Sequence, residues 1–273
     1  MIKDILTYLP LDVPDDPAAS YAASLAATFS AHVAGIAFAV EPEIAPDGGP
    51  TVRLYLDRRS ENEAGARAAV ARFDEILRRN GLSGETRVLT GTVNDVSRQF
   101  GQMGRRFDLA VIGQARPDKP TPSHAVIEAA LFESGRPVLL VPNIQKAEFS
   151  AGRAMVCWDG SRAAARAVAD ALPLLARAKS IDIVVVAGED HKSNEVPGAD
   201  VAQHLARHGL LVNVEQISSD IEVAAALLNY TADHEIDLIV MGGYGHSRMR
   251  EFILGGATRT MLRSMTAPTL MSH

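Results

Sequence analysis

Short, uninterrupted apolar runs alternate along this chain with longer stretches in which apolar positions return every three or four residues. Ile2 to Leu9 is the first such run, ended by Pro10 and Asp12, and Pro17 to Ala31 then spaces Tyr21, Leu25 and Phe29 at intervals of four. That order predicts a strand followed by an amphipathic helix. His32 to Val40 reads as a second strand, and Glu41 to Pro50 collects Pro, Asp and Gly as a loop. Arg53 to Asn80 is a long charged helix with Val70, Phe73, Ile76 and Leu77 as its core face, and Thr86 to Leu89 is a third strand. Asn94 to Arg105 is helical in pattern, Leu109 to Gly113 is a buried strand, Ala125 to Phe132 is helical again, and Pro137 to Val141 closes the series.

Runs such as Leu109-Ala110-Val111-Ile112 and Val138-Leu139-Leu140-Val141 lack the alternation of a half-exposed strand. They need a parallel sheet covered on both faces, so the fold class is doubly wound α/β, Rossmann-like. The same order then returns. Ala154 to Asp159 is a strand ending in an acid, Ser161 to Ala178 a helix bent or ended near Pro173, and Ile181 to Ala187 a strand. A helix at Gly198 to His208, a strand at Leu211 to Ile217 and a helix at Ile221 to His234, capped by Ser219 or Asp220, follow. Asp237-Leu238-Ile239-Val240-Met241-Gly242 matches Asp108-Leu109-Ala110-Val111-Ile112-Gly113, and Ala267-Pro268-Thr269-Leu270 matches Arg136-Pro137-Val138-Leu139. Two tandem domains are expected, residues 1–145 and 152–273, each with a five-stranded, mainly parallel sheet.

The chemistry gathers in the second copy. Met241-Gly242-Gly243-Tyr244-Gly245-His246 opens a strand-to-loop junction, and Gly255-Gly256-Ala257-Thr258 returns just before a helical run to Met265. Glycine lets a backbone approach a ligand closely, and the amides at a helix start form an anion site. In an open parallel sheet the ligand crevice lies beyond the carboxyl ends of the strands, where Asp159 and Gly242 both stand. These residues can hold a nucleotide whose base and ribose lie between the first and fourth strands, with phosphates at Gly245, Gly255, Gly256 and Thr258. The alternative is that the glycines only make turns and a helix junction. His246, within the loop, contacts either phosphate or solvent.

Gly242, then Gly245 after two residues and Gly255 after nine more, following Asp237-Leu238-Ile239-Val240-Met241, closely resembles the nucleotide-binding signature of the universal stress protein family. The resemblance covers nearly the whole chain as a tandem pair; in the first half it is mainly one of element order. It implies adenine nucleotide alpha hydrolase-like domains that pair as dimers, some members binding ATP and others not. By position, Asp159 matches the family's acid after strand one, and Val186 or Ala187 matches the backbone that meets adenine. Met241, Gly242, Gly245, Gly255, Ala257 and Thr258 match the ribose and phosphate contacts. The ATP-binding pattern usually has Ser or Thr directly after the last glycine, where this chain has Gly256, so one hydroxyl donor is missing and the amide remains.

Composition narrows the partners. The 27 Lys+Arg against 33 Asp+Glu leave a net charge of −6, with no basic block to attract nucleic acid or an anionic membrane. The lone Cys157 cannot form an internal disulfide and reads as a small strand residue. No secretory signal or spanning segment is recognised, so the expectation is cytoplasmic. Neither G-x-x-x-x-G-K-[ST] nor G-x-G-x-x-G after a first strand is present, and Ser161 reads as a helix cap rather than a nucleophile. No catalytic or metal-ligating constellation is assigned. The family resemblance then implies stress-response signalling through one bound ATP or related adenine nucleotide, with Mg2+ admissible beside its phosphates. The alternatives are an ATP-hydrolysing or adenylating enzyme with Asp159 on magnesium, and a ligand-free interaction protein. The two halves are expected to pack as an intramolecular pseudo-dimer through their last strands, with a further homodimer left open.

In the first copy Gln114-Ala115-Arg116 stands where Gly243-Tyr244-Gly245 stands in the second, and His124 and Ala125 replace Gly255 and Gly256. Asp12 is expected to persist after strand one. One nucleotide per chain follows.

Overall fold

A computed structural model describes residues 1–42, 51–116, 122–187, 197–218, 220–243 and 256–273. The chain divides into two compact units, Met1–Arg136 and Pro137–His273. Unit one contains β1 (Asp4–Leu9), α1 (Pro17–Phe29), β2 (His32–Val40), α2 (Thr51–Arg79), β3 (Gly84–Gly91), α3 (Val93–Gly104), β4 (Leu109–Gly113) and α4 (Ser123–Glu133). Unit two contains β5 (Val138–Val141), β6 (Arg153–Cys157), α5 (Arg162–Leu175), β7 (Ser180–Ala187), α6 (Ala199–Arg207), β8 (Val212–Ser218), α7 (Val223–Asp233), β9 (Leu238–Gly242), α8 (Gly256–Ser264) and β10 (Thr269–Ser272). The alternation of strand and helix read from the apolar runs is therefore the architecture, and β2 and β4 have the expected ends.

Within unit one the strand order is β3-β2-β1-β4, and within unit two β5-β10-β9-β6-β7-β8. The ladders β1–β2, β1–β4, β2–β3, β6–β7, β6–β9, β7–β8 and β9–β10 are parallel, and β5–β10 is antiparallel with Leu139 opposite Leu270. β5 and β10, the last strands of the two sequence copies, both lie in the sheet of unit two. In each copy the order reverses beside the first strand, between β1 and β4 and between β6 and β9.

Burial explains the lack of alternation. Leu109, Ala110, Val111 and Ile112 are all buried, as are Leu238 to Met241, because helices cover both faces. β3, at the edge of unit one, is mostly exposed and carries an Arg87–Glu85 ion pair at 3.0 Å, a polar edge that discourages pairing with another chain. Tyr8, Phe38 and Phe100 fill the core beneath β1 and β2, with Tyr8 and Phe38 ring centroids 4.8 Å apart.

The repeated Asp at the head of the fourth strand has a structural role in both copies. The amides of Lys3 and Asp4 donate to Asp108 Oδ2 at 2.7 and 3.1 Å, and the Arg153 amide donates to Asp237 Oδ2 at 2.9 Å. Each carboxylate satisfies amides that would otherwise stand unpaired where the first strand begins.

Helix ends follow local chemistry. Asp16 caps α1 by accepting from the Ala18 amide at 3.0 Å, with Pro17 at the first helical position, and Ser30 ends it in the left-handed conformation. Pro173 falls inside the last turn of α5, which closes at Leu175. The expected cap of α7 is corrected: Asp220 lies outside the helix, the cap residue is Glu222, and Ser219 lies outside the described residues.

Candidate functional site

β6 and β9 are parallel neighbours with Cys157 opposite Met241, and β7 lies on the other side of β6 with Val184 opposite Cys157. Their carboxyl ends therefore bring together Trp158-Asp159, Gly242-Gly243 and Val186-Ala187. Cys157 ends β6. Burial, and then the charge of Asp159, push the thiol of this half-buried residue up to about 12, so it stays protonated at neutral pH. Trp158 is half-buried, and its amide donates to the Val184 carbonyl at 2.9 Å, continuing the β6–β7 ladder by one bond.

Asp159 is exposed, and its Oδ1 accepts from the Ser161 amide at 2.9 Å. This turn, with Gly160 at φ 71°, delivers the chain into α5, where Ser161 Oγ accepts from the Ala164 amide at 3.1 Å. Ser161 is a helix cap, as its sequence position predicts.

Gly242 has a demanding neighbour. A Cβ built on it would stand 2.6 Å from the Ala164 nitrogen and 2.7 Å from the Ala163 carbonyl carbon. Those are backbone atoms of the first turn of α5, so the missing side chain lets the helix settle directly on the end of β9. Gly113, its counterpart in unit one, is looser: a Cβ there would meet the Ala18 methyl at 3.6 Å, ordinary contact. Close packing of α5 is a role for Gly242 that periodicity could not reveal.

At the other lip, Gly256 and Ala257 begin α8 and Thr258 is buried within its first turn. The first amides of a helix have no partners within it and carry the positive end of its dipole. Among the described residues, a Cβ on Gly256 would meet Glu222 Oε1 at 3.6 Å, an ordinary contact. Glu222 Oε1 also accepts from Thr260 Oγ1 at 3.0 Å, tying the cap residue of α7 to α8. Glu222 escaped the sequence reading because no signal marks which side chain reaches a helix start from another element. Gly245, His246 and Gly255 lie outside the described residues.

In unit one the same end of the sheet differs. By strand register Pro10, not Asp12, stands where Asp159 stands, since Ile5 is opposite Leu109 as Ala154 is opposite Leu238. Counted from that register position, α1 starts four residues later than α5 does, Asp12 lies exposed within the loop, and Asp16 Oδ2 is buried with no hydrogen-bond partner among the described residues. Burial pushes the Asp16 carboxyl up to about 6 against the opposing pull of the Ala18 and Ala19 amides and of Arg72 and Arg116. Pro122 precedes α4 without a side-chain cap, and Pro117 and Pro120 lie outside the described residues.

Away from the strand ends, Asp182 is fully buried in β7. It accepts from Arg153 Nε at 2.7 Å, Asn213 Nδ2 at 3.2 Å and Tyr230 OH at 3.2 Å. Burial, reinforced by the Asp182 charge and hydrogen bond, raises the Tyr230 phenol to about 12. Asp182 in Ile181-Asp182-Ile183 was a visible signal, an acid inside an apolar strand, and the structure assigns it to internal pairing. Among the described residues no group of three His, Cys, Asp or Glu side chains could hold a metal ion, and no helix is long and apolar enough to cross a membrane.

Known proteins share sequence with the C-terminal half and fold with the whole length. Residues 151–273 match the universal stress protein family profile. A universal stress protein of Synechocystis sp. is 36% identical over 66 residues, a match covering 24% of this chain and 22% of that relative's length. The crystal structure of a universal stress protein from Archaeoglobus fulgidus superposes with a TM-score of 0.71 at 17% identity, covering 98% of this chain and 95% of that one. A functionally unknown protein from Pseudomonas aeruginosa gives 0.63 at 15% identity, over 99% and 92%. At those identities the structures speak for the fold alone. The C-terminal half of this chain, residues 151–273, thus matches the universal stress protein family, and the fold along its length is that of the Archaeoglobus fulgidus protein.

Proposed function

We propose that this chain is a cytoplasmic, nucleotide-responsive stress-signalling module with one adenine-nucleotide site, in the domain of residues 152–273. The observation that carries the reading is the β6–β9 register, Cys157 opposite Met241, which gathers Asp159, Gly242 and the end of β7 at the point where strand order reverses. Base and ribose lie across the ends of β6, β7 and β9, with Asp159 accepting from hydroxyl or amine donors and Val186 and Ala187 offering backbone. The phosphate end faces the opening turn of α8, where the amides of Gly256, Ala257 and Thr258 are the donors.

The strand ends offer Asp159 and backbone groups to the adenosine portion, and the charged tail meets a less favourable place. The Gly256 amide opens the helix, yet the Glu222 carboxylate stands beside it. Magnesium beside the phosphates is compatible with Asp159, whose Oδ1 is engaged by the Ser161 amide. No general base or activated nucleophile is proposed, and the module binds rather than turns over.

Residues 1–145 form the companion domain, with a degenerate site: Pro10 holds the register position of Asp159, and Arg116 follows where Gly245 stands in its twin. The antiparallel β5–β10 ladder supports the pairing of the two copies as an intramolecular pseudo-dimer.

Isothermal titration with ATP tests the reading. Expected are a stoichiometry near one per chain and a loss of about tenfold or more in affinity for Asp159→Ala, which removes a charge-assisted contact. Two nucleotides per chain, or none, refutes it. Multiple-turnover hydrolysis abolished by Asp159→Ala would make the protein an enzyme instead.

A further inference from the structure

Glu222 precedes α7 yet makes no side-chain cap for its own helix. Its carboxylate reaches across to α8, accepting from Thr260 Oγ1 at 3.0 Å and approaching Gly256, where an added Cβ would be 3.6 Å from Oε1. A full negative charge therefore occupies the place beside a helix start where an anion would be most stabilised. We propose that Glu222 is a specificity-determining residue that discriminates against the phosphate tail of an adenine nucleotide, so that this site favours ligands of low phosphate charge over ATP. The inference rests on the nucleotide reading above and adds the charge class of the ligand.

The argument is electrostatic and local. Two like charges about 4 Å apart repel by about 1 kcal/mol in bulk water, more where water is partly excluded, which is roughly a fivefold to tenfold loss of affinity. Adenosine, lacking phosphate, does not feel it. The missing Ser or Thr hydroxyl at Gly256 acts in the same direction, since the position supplies an amide but no second donor to a phosphate oxygen. A ligand with phosphates must either displace Glu222 from Thr260 or accept its charge as a neighbour. The contact is exposed, so added salt weakens the discrimination.

The test compares Glu222→Gln with wild type by titration calorimetry, using ATP and adenosine as probes. Glutamine keeps the side-chain length and can still accept from Thr260, so fold and α7–α8 contact are retained, which circular dichroism checks. Expected is ATP binding fivefold to tenfold tighter in the variant, with adenosine unchanged within twofold. Unchanged ATP affinity, or equal tightening of both ligands, overturns the role of Glu222 and leaves the nucleotide reading standing. Failure of either protein to bind either ligand overturns the nucleotide reading and this inference with it.

Discussion

Gly242→Ala places one methyl group against the first turn of α5. Its Cβ would lie 2.6 Å from the Ala164 nitrogen and 2.7 Å from the Ala163 carbonyl carbon, against an ordinary carbon contact of about 3.5–4 Å. Neither partner is the free end of a flexible side chain. The clash is relieved only by moving β9 and α5 apart by roughly 1 Å, and α5 buries Ala163, Ala164, Ala167, Val168, Ala171, Leu174 and Leu175. Overpacking usually costs about 1–3 kcal/mol, and a contact with rigid backbone belongs at the upper end, so about 3 kcal/mol is expected. The sole tryptophan, Trp158, lies in unit two one residue past β6, which makes its fluorescence a reporter of that unit's unfolding. At an m-value of about 2 kcal/mol/M in urea, the midpoint should fall by roughly 1.5 M. Gly256→Ala, whose Cβ among the described residues meets Glu222 Oε1 at an ordinary 3.6 Å, is the control and should move the midpoint little or upward. A Gly242→Ala midpoint within 0.3 M of wild type would refute the packing argument. If nucleotide binding vanished in that same variant, the glycine would have to be assigned to the ligand.

Asp182→Ala would leave the Arg153 guanidinium, Asn213 amide and Tyr230 hydroxyl without their shared acceptor and should cost about 3 kcal/mol, the lower end for a broken buried pair because Arg153 reaches solvent; an unchanged urea midpoint by Trp158 fluorescence contradicts this. Asp16 binds its proton more tightly when folded, about 6 against about 3.9 unfolded, so its stabilising contribution is full below pH 4 and is lost as pH rises through 6. Asp16→Asn keeps a good helix cap, and calorimetry should find it little different from wild type at pH 4 but more stable by on the order of 1–2 kcal/mol at pH 7.5; the opposite trend defeats the assignment. Cys157, its thiol held up at about 12, should resist iodoacetamide at pH 8 in the native protein and react at an ordinary rate in urea, which mass spectrometry of the alkylated chain decides.

The sheet was legible because burial on both faces leaves a trace in sequence. Leu109 to Gly113 and His32 to Val40 have the ends expected, and the tandem order follows from matching Asp108 to Asp237. Ends set by tertiary contacts were less legible. Thr86 to Leu89 extends to Gly84–Gly91 because β2 offers a ladder for every residue of β3. At the site, the strand ends carrying Asp159, Val186 and Met241 could be placed, since topology alone gathers them. The fit of Gly242 onto Ala163 and Ala164 depends on the distance between two layers, which no spacing encodes. Glu222 meets α8 from another helix, and the four-residue difference that leaves Asp12 away from the strand end shows only once strands are in register.

The ladder between β5 and β10 makes the chain's order of synthesis matter. Val138 to Met271 spans nearly half the molecule, so β5 leaves the ribosome long before the strand that will hydrogen-bond with it exists. At typical elongation rates the wait is on the order of ten seconds, far longer than a hairpin takes to close. Throughout that interval four consecutive buried-type residues, Val138, Leu139, Leu140 and Val141, lack one of their native neighbours. Nascent chains stalled before Thr269 should therefore recruit holding chaperones at this segment, and release of the final strand should end the association.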